Sequence, residues 1–81
     1  MSTGAPKVET VVFGTIRLLL ERRGALGVEV TPDARIQEDL DLDSLEVAEL
    51  SATLEDELGQ DPYTEGLVPR TVGEILGFYT R

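Results

Sequence analysis

Two stretches of this chain carry apolar residues at helical spacing, and the stretch between them carries apolar residues at no regular spacing. In the first, Val8, Val12, Ile16, Leu19 and Leu20 line one side, with Val11 and Leu18 widening the stripe. These imply a helix from about Pro6 to Arg23. Pro6 suits a first turn, where its missing N–H needs no partner. Arg22 and Arg23 complement the carbonyl end of the dipole, and Gly24 can take the left-handed conformation that closes a helix. In the second stretch Val47, Leu50, Leu54 and Leu58 form one inward stripe with Ser51 alongside, so a helix runs from Ser44 to Leu58 and stops at Gly59. Glu46, Glu49 and Asp56 fall on a different face, and Leu45, Ala48 and Ala52 line a less polar flank.

Between these helices, Gly24, Gly27 and Pro32 oppose regular structure, while Leu26, Val28, Val30, Ile36, Leu40 and Leu42 are too apolar for a disordered linker. A connection of roughly 20 residues in so small a domain is usually functional, and its apolar residues should pin it across a helical core. Beyond Gly59, Asp61-Pro62 can cap and start a very short helix that Gly66 ends. Thr71-Val72-Gly73-Glu74 fits a capping box ahead of a last helix from about Val72 to Tyr79. Gly27–Thr31 could pass for a short strand; no strand signal is stronger. The expectation is an all-α fold: a small four-helix bundle with three main helices, one short helix and a long loop between helices one and two. Residues 1–81 make a single domain, with a core near the lower end of what folds unaided.

Composition narrows the chemistry. The chain has no His and no Cys, which removes the commonest general base, zinc sites and thiol nucleophiles. Its one lysine, Lys7, lies beside the N-terminus, so a Ser-Lys pairing has little support and the chain does not read as an enzyme. Met1–Thr10 lacks the basic and apolar regions of a signal peptide, and no apolar run approaches the roughly 20 residues of a membrane span. A soluble, cytoplasmic, free-standing protein is expected. The net charge of −9 is concentrated: residues 29–66 hold thirteen acids against Arg35 alone. Such a field repels nucleic acid and anionic membranes and speeds encounter with basic protein surfaces.

The acids cluster around Glu38-Asp39-Leu40-Asp41-Leu42-Asp43-Ser44-Leu45-Glu46. Taken alone, Ser44 reads as an ordinary N-cap. Asp43 competes for that role, however, with Glu46 three residues on completing a capping-box arrangement. Ser44 then occupies the first helical position with its hydroxyl free toward solvent. A phosphodiester there would meet open backbone N–H groups and the positive end of the dipole. Asp39-x-Asp41-x-Asp43 begins like a calcium-binding EF-hand loop, but Ser44 stands where that loop wants Gly and Leu50 where it wants Glu. An EF-hand is rejected, and no metal site is assigned.

Leu42-Asp43-Ser44-Leu45, opening a helix about halfway along a short acidic chain, resembles the acyl carrier protein family. The resemblance extends over nearly the whole domain: the first helix, the long loop, Leu54-Glu55-Asp56-Glu57-Leu58-Gly59, the short helix and Thr71-Val72-Gly73-Glu74-Ile75. It implies a carrier with 4′-phosphopantetheine on Ser44, transferred from coenzyme A by a phosphopantetheinyl transferase with magnesium. Asp43 matches the motif position that helps organise the metal during transfer. The thiol of the arm would hold acyl groups as thioesters for loading, condensing and tailoring enzymes. Leu45, Glu46, Glu49, Glu55 and Asp56 match positions the family uses to meet basic partner surfaces. A monomer is expected.

Departures bear on the subtype. Ala52 stands where many fatty-acid carriers have a bulkier apolar residue. The Asp61–Arg70 segment, with Gly66 and two prolines, looks closer to discrete carriers of secondary metabolism, which points to polyketide or specialised fatty-acid biosynthesis. Two alternatives stay open: an aminoacyl carrier of the nonribosomal peptide type, and an acidic helical interaction module without a prosthetic group. Leu42-Asp43 ahead of Ser44 favours an acyl over a peptidyl carrier.

Overall fold

The computed structural model describes residues 4–25 and 27–80. It contains helices α1 (Gly4–Arg22), α2 (Ser44–Leu58) and α3 (Val72–Phe78), and no strand among the described residues. The fold is all-α. Among the described residues no helix is long and apolar enough to cross a membrane.

Local sequence accounts for the helix ends. At the end of α1, Ala25 N–H donates to Leu20 O at 2.9 Å and Gly24 N–H to Glu21 O at 3.1 Å, with Gly24 at φ 80°. This is the paired closure that a left-handed glycine permits. Gly59, at φ 85°, closes α2 by donating to Glu55 O at 2.9 Å. The start of α3 is half of the expected box. Thr71 Oγ1 accepts from Glu74 N–H at 3.1 Å, but the Glu74 carboxylate accepts from Arg70 N–H at 2.6 Å instead of returning to Thr71.

Val12 and Ile16 of α1, Leu50 and Leu54 of α2, and Val72 and Ile75 of α3 are fully buried against one another. Val47 and Leu58 pack partly against this core. Leu18, read as part of the α1 stripe, is 53% exposed. At 100° per residue it lies on roughly the opposite side of the helix from Ile16. Phe78, near the end of α3, is buried as well.

The connection from Arg23 to Asp43 is pinned as its apolar residues suggested. Val30, Ile36, Leu40 and Leu42 are buried, and each contributes about 1.5–3 kcal/mol by leaving water. Val28 is exposed, and Leu26 lies outside the described residues. Residues 27–31 form no strand; the one β-type contact among the described residues is an isolated bridge between Arg35 and Thr71. Through it Ile36 N–H donates to Arg70 O, Val72 N–H to Ala34 O and Gly73 N–H to Pro32 O, at 2.8–3.1 Å. Two of the otherwise open N–H groups at the start of α3 are thereby satisfied by the loop.

Between α2 and α3, Pro62–Gly66 is a run of turns where a short helix was expected. Asp61 does cap it, accepting from Thr64 N–H at 3.0 Å. Gly66, at φ 88°, then ends the segment with Leu67 N–H on Pro62 O, before a full helical turn can repeat.

Candidate functional site

Three local features deliver Ser44 to the surface at the first position of α2. Leu42 is buried and anchors the chain just before the helix. Asp43 is extended (φ −88°, ψ 179°) and caps it: Oδ1 accepts from Glu46 N–H at 2.8 Å, while Glu46 Oε1 accepts from Asp43 N–H at 3.0 Å. Val47 N–H donates to Asp43 O at 2.9 Å. Ser44 is therefore released from capping. Its side chain is exposed and makes no hydrogen bond among the described residues, and the N–H groups of Ser44 and Leu45 are likewise open. An exposed hydroxyl beside two open donors at the positive end of a dipole suits esterification by a phosphate group.

The three aspartates that resembled a calcium loop point to three different partners. Asp39 Oδ2 accepts from Arg35 N–H at 2.7 Å, and the Arg35 guanidinium holds both its oxygens at 3.0 and 3.1 Å. These hydrogen bonds keep the Asp39 carboxyl below its ordinary pKa. Asp41 pairs with Arg23, and Asp43 serves the cap. Among the described residues no three such groups converge as a metal site.

The residues expected to meet partners divide into two sets. Leu45 is 68% exposed, and Glu55 and Asp56 are exposed on α2 with no ion pair among the described residues. Glu46 and Glu49 have partners within the fold. Glu46 completes the capping box and lies 3.5 Å from Arg23 Nε, with its side chain only 15% exposed; Glu49 is paired with Arg22. The two arginines, read as partners of their own helix's dipole, instead reach across to α2 and its approach. Arg23 Nη1 donates to Asp41 O at 2.6 Å and to Leu40 O at 3.3 Å. The signal for this lay in the charge map, because no Lys or Arg occurs between Ile36 and Pro69.

Sequence reasoning also missed how Asp61 is used. It is the one buried charged residue among those described, and it accepts from Ser51 Oγ at 2.8 Å and from Thr64 Oγ1 at 2.6 Å as well as from Thr64 N–H. Burial alone would raise its carboxyl pKa. The hydrogen bonds from Thr64 and Ser51 outweigh that effect and hold it below the ordinary value. Asp61 thus ties the turn segment to α2.

The family described as phosphopantetheine attachment site matches residues 16–77 of the chain. The chain is 34% identical over 71 residues to the meromycolate extension acyl carrier protein of Mycolicibacterium smegmatis, a match covering 86% of this chain and 72% of that protein. No solved structure matches it.

Proposed function

The chain belongs to the acyl carrier protein family, and on that premise we propose that Ser44 is where its 4′-phosphopantetheine group is attached. Proteins of this family are carriers, not enzymes. The prosthetic group supplies the terminal thiol that a chain without Cys lacks, and acyl groups ride on that thiol as thioesters. The observation that carries the assignment is the division of labour at the start of α2. Asp43 does the capping, so the Ser44 hydroxyl is exposed, unbonded and beside open N–H groups. In transfer from coenzyme A, the Ser44 Oγ–phosphorus bond would form as the phosphoanhydride bond breaks, with adenosine 3′,5′-bisphosphate leaving and the hydroxyl proton passing to the transferase or to water. The open amides would then be available to the phosphodiester. Asp43 Oδ1 is held by Glu46 N–H, which leaves Oδ2 to orient the magnesium ion of the transferase reaction.

The partners are a phosphopantetheinyl transferase and the loading, condensing and tailoring enzymes of a polyketide or specialised fatty-acid pathway. The acyl rather than aminoacyl reading is supported by Leu42-Asp43 ahead of Ser44 and by the name of the mycobacterial relative. Leu45, Glu55 and Asp56 form the docking surface on this reading. Glu49 joins it only when a partner's cation displaces Arg22, and Glu46 chiefly serves the fold. Weak, steered encounters suit a carrier that must release every partner, while tethering keeps the cargo at high effective concentration. The same reading takes residues 1–81 as one cytoplasmic, monomeric carrier domain of four-helix type, with 62–66 in the place of its short helix.

The test is incubation with coenzyme A, magnesium and a broad-specificity phosphopantetheinyl transferase, followed by intact and peptide mass spectrometry. Gain of one phosphopantetheine on the Ser44 peptide, absent in Ser44→Ala, is expected. No gain by folded, previously unmodified protein, with a control carrier loaded in the same tube, would overturn the assignment.

A further inference from the structure

The approach to Ser44 is held by a residue from the turn at the far end of another helix. Arg23, just beyond α1, spans two elements with one guanidinium. Nη1 donates to Asp41 O at 2.6 Å and Leu40 O at 3.3 Å, Nη2 lies 3.8 Å from Asp41 Oδ2, and Nε lies 3.5 Å from Glu46 Oε2. It therefore grips the loop two residues before the cap and the carboxylate that completes the cap. The backbone it grips is unusual: Asp41, at φ 55°, is the one residue other than glycine with a positive φ among those described. Asp tolerates the left-handed region better than most residues, but it still needs surrounding contacts to hold it there.

Charge makes the position more consequential. Asp41, Asp43 and Glu46 surround the start of α2, and no cation occurs in sequence between Ile36 and Pro69. Arg35 is held by Asp39, and Arg22 by Glu49. Arg23 is therefore the cation that offsets the carboxylates where a further negative group is to be added. Its planar fork can reach the Asp41 carbonyl and the Glu46 carboxylate together, which a lysine ammonium cannot reproduce.

We propose that Arg23 is a positioning residue for modification of Ser44: it fixes the left-handed Asp41 turn and the Asp43–Glu46 cap, and thereby sets where the Ser44 hydroxyl stands when the transferase acts. This rests on the reading of Ser44 as the attachment point. Arg22 supplies a charge-matched control, since it is adjacent in sequence, carries the same charge and pairs, among the described residues, with Glu49 and not with the approach to Ser44.

The experiment is steady-state loading of wild type, Arg23→Gln, Arg23→Lys and Arg22→Gln, with the folded fraction of each measured by NMR. For Arg23→Gln, kcat should fall by about tenfold or more, as a misplaced reacting group does. KM should stay level or drop, because removing a positive charge does not weaken attraction to a basic partner. Arg23→Lys should recover part of kcat, and Arg22→Gln should keep all of it. Amide exchange at Glu46 should accelerate in Arg23→Gln while exchange in α3 stays unchanged. Equal kcat for Arg23→Gln and Arg22→Gln would overturn the proposal, as would a loss accounted for by the unfolded fraction alone. If wild type is not loaded at all, the Ser44 assignment fails, and the Glu46 exchange still decides whether Arg23 holds the junction.

Discussion

Ser51, on the inner side of α2, donates its hydroxyl at 2.8 Å to the fully buried carboxylate of Asp61 ten residues away. That carboxylate also takes both donors of Thr64. A buried charge persists only when its oxygens are satisfied, and here three donors meet them. Asp61→Ala should therefore destabilise the protein by about 2–3 kcal/mol, read as a shift of the urea midpoint at unchanged slope. The pH dependence has a definite sign. A folded carboxyl pKa below the unfolded one gives stability that is present above the unfolded value and lost as pH falls through the folded value. The stability difference between wild type and Asp61→Asn should be constant above about pH 4 and shrink below it. A difference that grows on acidification would mean the carboxyl is held neutral.

The Ser44 hydroxyl makes no hydrogen bond among the described residues, so Ser44→Ala should leave thermal stability within about 0.5 kcal/mol of wild type while loading disappears. Circular dichroism melting alongside mass spectrometry checks both halves. Loss of folding in this variant would mean that the side chain serves the helix and that exposure was a poor guide.

Asp43 differs, because its side chain satisfies a donor the helix cannot. Asp43→Ala should cost about 1 kcal/mol by urea denaturation and slow loading as well. Asp43→Asn, still able to cap, should recover most of the stability and little of the loading if the charge serves the metal.

How much of this was legible follows from the range of each interaction. The bounds of α2 were readable, because Asp43, Glu46 and Gly59 act within four residues of the helix ends they control. Of the apolar dots of the connection, Val30, Ile36, Leu40 and Leu42 are buried and Val28 is exposed, because hydrophobicity favours burial while the path of the loop decides which residue reaches the core. What they pack beside was not readable. The Arg35–Thr71 bridge joins residues far apart in sequence, and nothing local announces it. Arg23 illustrates the same limit at the site: a local rule assigned it to its own helix terminus, and tertiary contact sent it to Asp41 and Glu46. Asp61 was legible as a cap but not as a buried charge, because Ser51 becomes its partner only once α2 and the turn segment meet.

The carboxylates of α2 should separate into steering and structural groups. Glu55→Gln with Asp56→Asn should lower the rate of association with a basic partner and flatten its salt dependence, while stability stays within about 0.5 kcal/mol. Glu46→Gln should instead cost stability, on the order of 1 kcal/mol, by weakening the cap and the Arg23 contact. Stopped-flow association at several ionic strengths, with urea melts of the same variants, distinguishes the two. Equal kinetic effects from both would mean that Glu46 remains available to partners despite its contacts.

Tyr63 offers the test with the least expected sign. Its hydroxyl oxygen is buried and has no hydrogen-bond partner among the described residues. Burial, together with the nearby Asp61 charge, pushes its pKa up to about 12, so it stays a neutral phenol at physiological pH. An unsatisfied buried donor is a cost that the same ring without its oxygen does not carry. Tyr63→Phe should stabilise the protein by about 1 kcal/mol, since the ring's shape is kept. The alkaline limb gives a second check. A tyrosine whose folded pKa is raised contributes stability that is present below its unfolded value near 10 and lost as pH rises toward the folded one. Tyr79, whose hydroxyl donates to Gln60 O at 2.8 Å, is also raised to about 12. Between pH 10 and 12 wild type should therefore lose stability, and Tyr63→Phe should lose less without losing none, because Tyr79 remains. If Tyr63→Phe melts lower than wild type at neutral pH, the hydroxyl has a partner in solution and the cost assigned to it is wrong.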